Sequence, residues 1–309
     1  MLDCVVYISS VANVKKHSRK QQCLESFATG VRASGGLVHV EHRYVYTPSR
    51  LAVMLGWATT NTGGHNIALR KEIIAEQRRR GFDTMCIDAS CWKYLDEGSR
   101  YLRYSLNGPF YDRAEYANRG SDSTKWNEIQ QALNIKLQPP QSNDQGHVLI
   151  CMQRDGGFAM KTLDPLTWLA QKIQQIRKYS QRTIVIRPHP GDYRPEDFAQ
   201  YRKQPGIKLV DPLTTRLVDN LTRAHAAVFF NSSASVAAVC AGIPVFADDS
   251  SCVAWAVANQ DIAKIESPQV FEREQWLYDL AAAHWSDEDS QAGRIWQKFR
   301  PYLASTTTS

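Results

Sequence analysis

The stretch TIVIRPHPGD (183–192) sets a guanidinium and an imidazole two residues apart at the end of an apolar run. Pro188 and Pro190 remove two backbone donors and hold the chain extended, so His189 is presented at a strand end and not on a helix. Arg187 and His189 in that position can neutralise an anion. A second segment, FFNSSAS (229–235), offers hydroxyls in a similar setting. A buried strand ends at Asn231, and Ser232, Ser233 and Ser235 stand where a helix begins. Free N–H groups at a helix start favour an anion, and hydroxyls add donors. Capping the helix alone uses only one of the three serines. A third segment, CMQRDGG (151–157), follows another strand. Gly156 and Gly157 let the backbone approach a ligand closely, while Gln153 and Arg154 supply donors.

In the first half of the chain, Asp88 in CIDAS lies at the end of a strand, where a carboxylate can take a proton from an attacking hydroxyl. Glu41 in HVEHR is its rival, and an ordinary cap or surface acid accounts for either. Gly56, Gly63, Gly64 and His65 can shape a loop beside them. SDEDS (286–290) contains a D-x-D pattern, the kind that holds a metal, but it falls between polar helices and reads as a solvated acidic turn. No CxxC or HExxH pattern occurs, so no metal site is expected.

These residues need a scaffold, and the hydrophobic pattern supplies one. Short apolar runs alternate with helical patterns, which is the α/β signature. Strands are expected at 4–10, 36–42, 51–57, 83–90 and 101–110, with helices at 19–34 and 66–81. Segment 111–146 loses periodicity, and KLQPPQSNDQG (136–146) has linker composition. The pattern then restarts, with strands at 147–153, 182–187, 206–211, 225–231 and 243–248. Helices are expected at 165–180, 213–224 and 232–242. The tail 272–303 carries three tryptophans at helical spacing. The organisation this predicts is two Rossmann-like doubly wound domains, 1–140 and 147–270, facing a cleft, with C-terminal helices, 271–309, crossing back toward the first. In open α/β sheets the strand carboxyl ends form the ligand site.

At 309 residues the chain is long enough for two domains, and 43% hydrophobic with 22% charged residues excludes disorder. No apolar run reaches the length of a membrane span. The seven scattered cysteines read as free thiols of a reducing cytoplasm. The net charge of +6 mildly favours anionic partners.

The run Ser235 through Ala241, Gly242, Pro244 and Val245 resembles the donor-site helix and strand of GT-B glycosyltransferases. The His-Pro pair beside a serine turn is similar to that of bacterial sialyltransferases and of the Kdo transferases of capsule assembly. The resemblance implies a nucleotide-sugar donor, a UDP-sugar favoured, held by Gln153, Arg154, Gly157, Arg187, His189, Asn231, Ser232, Ser233 and Ser235. It implies metal-independent hexosyl or pentosyl transfer with no further cofactor, His189 stabilising the leaving nucleotide and Asp88 acting as base. The segments LRYSLNGPFYD, LICMQRDGG and EREQWLYDLAAAHWS are similar in texture to glycosyltransferase-like proteins of tailed bacteriophages. That implies double-stranded DNA carrying a 5-hydroxymethylpyrimidine, such as hydroxymethylcytosine, as acceptor. The helix 70–81, Arg100, Arg103 and Lys125 would then contact phosphates, with Trp57, Trp92 or Tyr94 stacking on a flipped base. The expected protein is a monomer or weak dimer in the cytoplasm, the host's if phage-encoded. Two alternatives stand beside it: a CMP-sugar-dependent surface-polysaccharide transferase of the Kdo or sialic acid type, and a non-catalytic nucleotide- or DNA-binding protein on the same fold.

Overall fold

Strands buried on both faces read as continuous apolar runs, and here such runs build two largely parallel sheets. A computed structural model of the chain describes residues 1–11, 18–58, 64–95, 100–141, 143–154, 158–160, 163–191 and 193–304. It divides into two compact units. The first comprises Met1–Ser90, Gly98–Lys125 and Tyr278–Ser309, the second Cys91–Glu97 and Trp126–Leu277.

In chain order the first unit begins with β1 (Leu2–Tyr7), α1 (Arg19–Ala33), β2 (Val38–Glu41) and β3 (Ser49–Leu55). It continues with α2 (His65–Arg79), β4 (Asp83–Ala89) and β5 (Leu102–Leu106). After α3 (Thr124–Leu133), the second unit runs through β6 (His147–Cys151), α4 (Pro165–Arg177), β7 (Ile184–Arg187) and β8 (Ile207–Leu209). Then come α5 (Leu217–Leu221), β9 (Ala224–Phe229), α6 (Ala234–Cys240) and β10 (Val245–Ala247). The chain closes with α7 (Glu274–Ala282), β11 (His284–Trp285), α8 (Asp287–Gln291) and α9 (Arg294–Phe299).

The second sheet has the order β10-β9-β6-β7-β8, all parallel, so its strand order reverses between β6 and β9. That reversal opens a crevice at the carboxyl ends of the two strands, the place where doubly wound sheets bind ligands. Its faces are sealed by Leu149, Ala227 and Phe229 on one side and by Ile150, Ile186 and Trp168 on the other. The first sheet has the order β11-β5-β4-β3-β1-β2, reversing between β1 and β3. Both sheets are doubly wound α/β, as the sequence pattern implies.

Three segments differ from their pattern. Region 111–146 contains α3, whose buried stripe is only Trp126 and Ile129, too thin to register as a period. The tail adds a strand to its helices: β11 pairs antiparallel with β5, which itself runs antiparallel to β4. Residues 213–224 expected as one helix keep only the five-residue α5. Upstream of α5 the backbone bends around a buried guanidinium described below.

The tail docks on α1 by close backbone approach. A Cβ at Gly30 would lie 1.9 Å from the Ser290 carbonyl oxygen and 2.8 Å from the Gly293 amide nitrogen. Gly30→Ala must push α8 away from α1, and overpacking of this kind costs about 1–3 kcal/mol. The expected outcome is a lower thermal unfolding midpoint, measured by circular dichroism.

Candidate functional site

The carboxyl ends of β6, β7 and β9 deliver the three sequence segments to one place in the second unit. Arg187 ends β7 and is buried. It was expected to meet an anion beside His189, but its donors turn the other way. Nη1 donates to Thr215 Oγ1 at 3.0 Å and Asn220 Oδ1 at 2.6 Å, and Nη2 donates to the Thr215 carbonyl at 3.0 Å. A buried guanidinium needs several acceptors, and the loop ahead of α5 supplies them. Arg187 therefore braces a wall.

His189 lies just past that strand, half-buried. Its Nδ1 accepts the Gly191 N–H at 3.0 Å, which puts the proton of the neutral ring on Nε2. Two pockets meet at this ring, with Pro188 and Met152 common to both. One, of about 280 Å³, is walled by Tyr94, Cys151, Arg187, Leu217, Ser232 and Ala234. The other, of about 440 Å³, is walled by Gln153, Leu166, Arg194 and Phe198. Arg154 is exposed, and a Cβ placed on Gly191 would lie 3.1 Å from the His189 ring and 3.8 Å from Arg154 Nε. The two basic groups thus flank one glycine.

The serine turn divides its labour. Ser232 is buried, lines the smaller pocket, and accepts the Ala234 N–H at 3.2 Å. Ser233 is the N-cap residue of α6, yet its hydroxyl makes no capping bond. Ser235 is fully buried and donates to the Ser232 carbonyl at 2.7 Å, so it serves the turn and not a ligand, contrary to expectation. Asn231 is also buried. Its Nδ2 donates to the Ala159 carbonyl and to Ser251 Oγ, each at 2.8 Å, and its Oδ1 accepts from Gln153 Nε2. Gly157, with Gly156, lies outside the described residues, as does Gly63. Tyr94, expected to stack on a base, lines the smaller pocket, and Leu217, Ser251 and Asp249 escaped the sequence reading. The DDSS that follows β10 was the available signal for the last two.

In the first unit, Asp88 sits at the carboxyl end of β4 with its side chain 38% exposed. Arg103, its cross-strand neighbour on β5, donates to Oδ2 at 2.7 Å, and the Ala89 N–H donates to Oδ1 at 2.8 Å. Glu41 is buried and holds the turn after β2. It accepts the Arg43 backbone N–H at 2.9 Å, the Arg43 guanidinium at 3.0 Å and the Thr47 hydroxyl at 3.1 Å. The Arg43 hydrogen bonds hold its carboxyl well below the usual carboxylate range, which makes it a weak base.

Of the basic residues expected to face a duplex, Lys71, Arg78 and Arg100 are exposed, while others are engaged within the unit. Arg70 is turned to the Ser10 and Trp57 carbonyls, Arg79 and Arg80 pair with Glu76, Arg103 pairs with Asp88, and Lys125 with Asp289. Trp92 is fully buried and packs on Trp126, 5.5 Å between ring centres, so it has no face for a base. The acidic turn at 286–290 is not solvated either. It forms the capping box of α8, and the buried Asp289 binds Lys125 and Arg294. No cluster of three metal-ligating side chains occurs among the described residues.

No protein-family model and no curated protein matches the chain. Solved structures do. The β-Kdo 2,4 transferase KpsC of Thermosulfurimonas dismutans superposes with a TM-score of 0.57 at 12% identity, over 91% of this chain and 89% of that one. The β-Kdo 2,7 transferase KpsC of the same organism gives 0.54 at 12% identity, over 96% and 99%. The likeness is one of fold: this is a GT-B architecture.

Glu41 gives the first unit a defined acid response. Its folded-state pKa lies below the unfolded value of about 4.3, so its stabilisation is complete above that pH and is lost as pH falls. Glu41→Gln should lower stability at pH 7 and flatten the decline between about pH 4.5 and pH 2. Thermal midpoints across that range read both effects.

Proposed function

We propose that the chain is a metal-independent glycosyltransferase whose second unit holds a nucleotide sugar, and that the donor is a CMP-linked sugar. The observation that carries this is His189 standing where two pockets meet at the strand carboxyl ends, its ring fixed through Nδ1. With Nδ1 accepting the Gly191 N–H, the neutral ring offers Nε2–H as the donor to a phosphate oxygen as the leaving group forms. When the bond from the anomeric carbon to the phosphate oxygen breaks, that oxygen takes the electron pair. A preorganised donor there stabilises the transition state more than the ground state. Ser232 lines the smaller pocket, and Ser233 follows it at the start of α6.

Charge favours CMP over the UDP expected from sequence. Of the basic groups about His189, Arg187 is engaged by Thr215 and Asn220 and Arg194 is paired with Asp197, while exposed Arg154 stands beside Gly191. A phosphodiester of one negative charge matches that supply better than a diphosphate of two. The acceptor oxygen forms the new glycosidic bond, and Asp88, held in orientation by Arg103, takes its proton. The two KpsC transferases of like fold support a glycan hydroxyl as the acceptor. Arg70, Arg103 and Lys125, already engaged within the first unit, give a 5-hydroxymethylpyrimidine in DNA less support as acceptor.

A donor and acceptor screen by mass spectrometry tests this. CMP-, UDP- and GDP-sugars are offered with sugar-terminated glycans or hydroxymethylpyrimidine DNA. The expected result is sugar transfer from a CMP-sugar to a glycan, lowered about 10²–10³-fold by His189→Ala. Asp88→Asn should lower turnover while donor binding is kept. Transfer from a UDP-sugar would overturn the donor class, and a mass gain on DNA would overturn the acceptor. Binding of CMP without any turnover would leave a non-catalytic nucleotide-binding protein.

A further inference from the structure

We infer that Gln153 reads the base of the bound nucleotide through a side-chain amide whose polarity the protein has fixed. This rests on the nucleotide-site reading and assigns within it the group that recognises the base. A backbone carbonyl can only accept a hydrogen bond, so the Asn231 group facing the Ala159 carbonyl at 2.8 Å must be its NH₂. The same NH₂ donates to Ser251 Oγ, whose own proton goes to Asp249. The Asn231 carbonyl oxygen is therefore turned toward Gln153, and Gln153 must meet it with its NH₂. What remains of the Gln153 amide is its carbonyl oxygen and one N–H. The residue lines the larger pocket together with His189.

This relay ties the carboxyl end of β6 to that of β9, across the point where the strand order reverses. Locking an amide matters only toward a partner that cannot adapt. A hydroxyl rotates to donate or accept as needed, so a ribose or sugar hydroxyl would be served equally by either face of the amide. A base has its donors and acceptors fixed in the ring plane. An acceptor with a neighbouring donor suits a base edge such as the cytosine amino group beside its ring nitrogen, as carboxamides pair with bases elsewhere. Pro188, Leu166 and Phe198 give the same pocket apolar walls for the ring.

The test is calorimetric binding of CMP and of ribose 5-phosphate to the full chain. Gln153→Leu should weaken CMP about 10- to 100-fold and leave ribose 5-phosphate unchanged. Asn231→Asp, which cannot donate to the Ala159 carbonyl, should weaken CMP selectively in the same way while Gln153 is retained. His189→Ala should weaken both ligands. CMP bound by Gln153→Leu as by wild type, or an equal loss of both ligands in a variant of wild-type thermal midpoint, would overturn the assignment and leave the nucleotide site standing. Wild-type protein that binds neither ligand would overturn the nucleotide reading, and this assignment with it.

Discussion

A guanidinium buried at the end of a parallel strand must be surrounded by acceptors, and the second unit is arranged around that demand. Left unpaired in such a place, a charge destabilises a fold by about 3–5 kcal/mol. The chain answers for Arg187 with Thr215, Asn220 and the backbone before α5. The bend this forces shortens α5 and brings Leu217 into the wall of the smaller pocket. It also bears on the electrostatics: the guanidinium that lines this pocket has its Nη donors already committed to Thr215 and Asn220.

The first unit keeps its acids differently. Glu41 is consumed by the turn it stabilises. The loop it holds is fastened again by Tyr7, whose hydroxyl donates to the Thr47 carbonyl at 2.8 Å and accepts the Thr47 N–H at 3.0 Å. Asp88, also at a strand end, keeps its carboxylate 38% exposed, with Arg103 across the ladder to set its direction. Both acids close a strand, and what separates them is that the turn after β2 folds back onto Glu41.

Much of this was legible in the sequence, and the reasons for the rest are physical. The central strands announce themselves because double burial demands apolar runs, and every strand longer than two residues overlaps a stretch expected as strand, even β2, β5 and β8 with their mixed polarity. The residues of the site were legible as types at strand ends. Their directions were not. Whether Arg187 faces a ligand or the interior depends on Thr215 and Asn220, and whether Ser235 faces out depends on the turn closing on the Ser232 carbonyl. Trp92 looked available for stacking because nothing near it in sequence betrays Trp126 above its ring. Periodicity records which residues are buried. It carries no record of the partner that buries them.

All seven cysteines are free and buried. Burial pushes the thiols of Cys4, Cys23, Cys86, Cys151, Cys240 and Cys252 upward, so little thiolate exists at neutral pH. Slow reaction of the folded chain with alkylating and oxidising reagents is the expected consequence, although it carries many sulfurs. Their placement makes each a reporter of its own neighbourhood: Cys4 and Cys86 lie on strands of the first sheet, Cys151 on the second, and Cys240 in α6. Mapping which sulfur is alkylated first would rank how readily these regions breathe open, with no probe residue engineered into the protein.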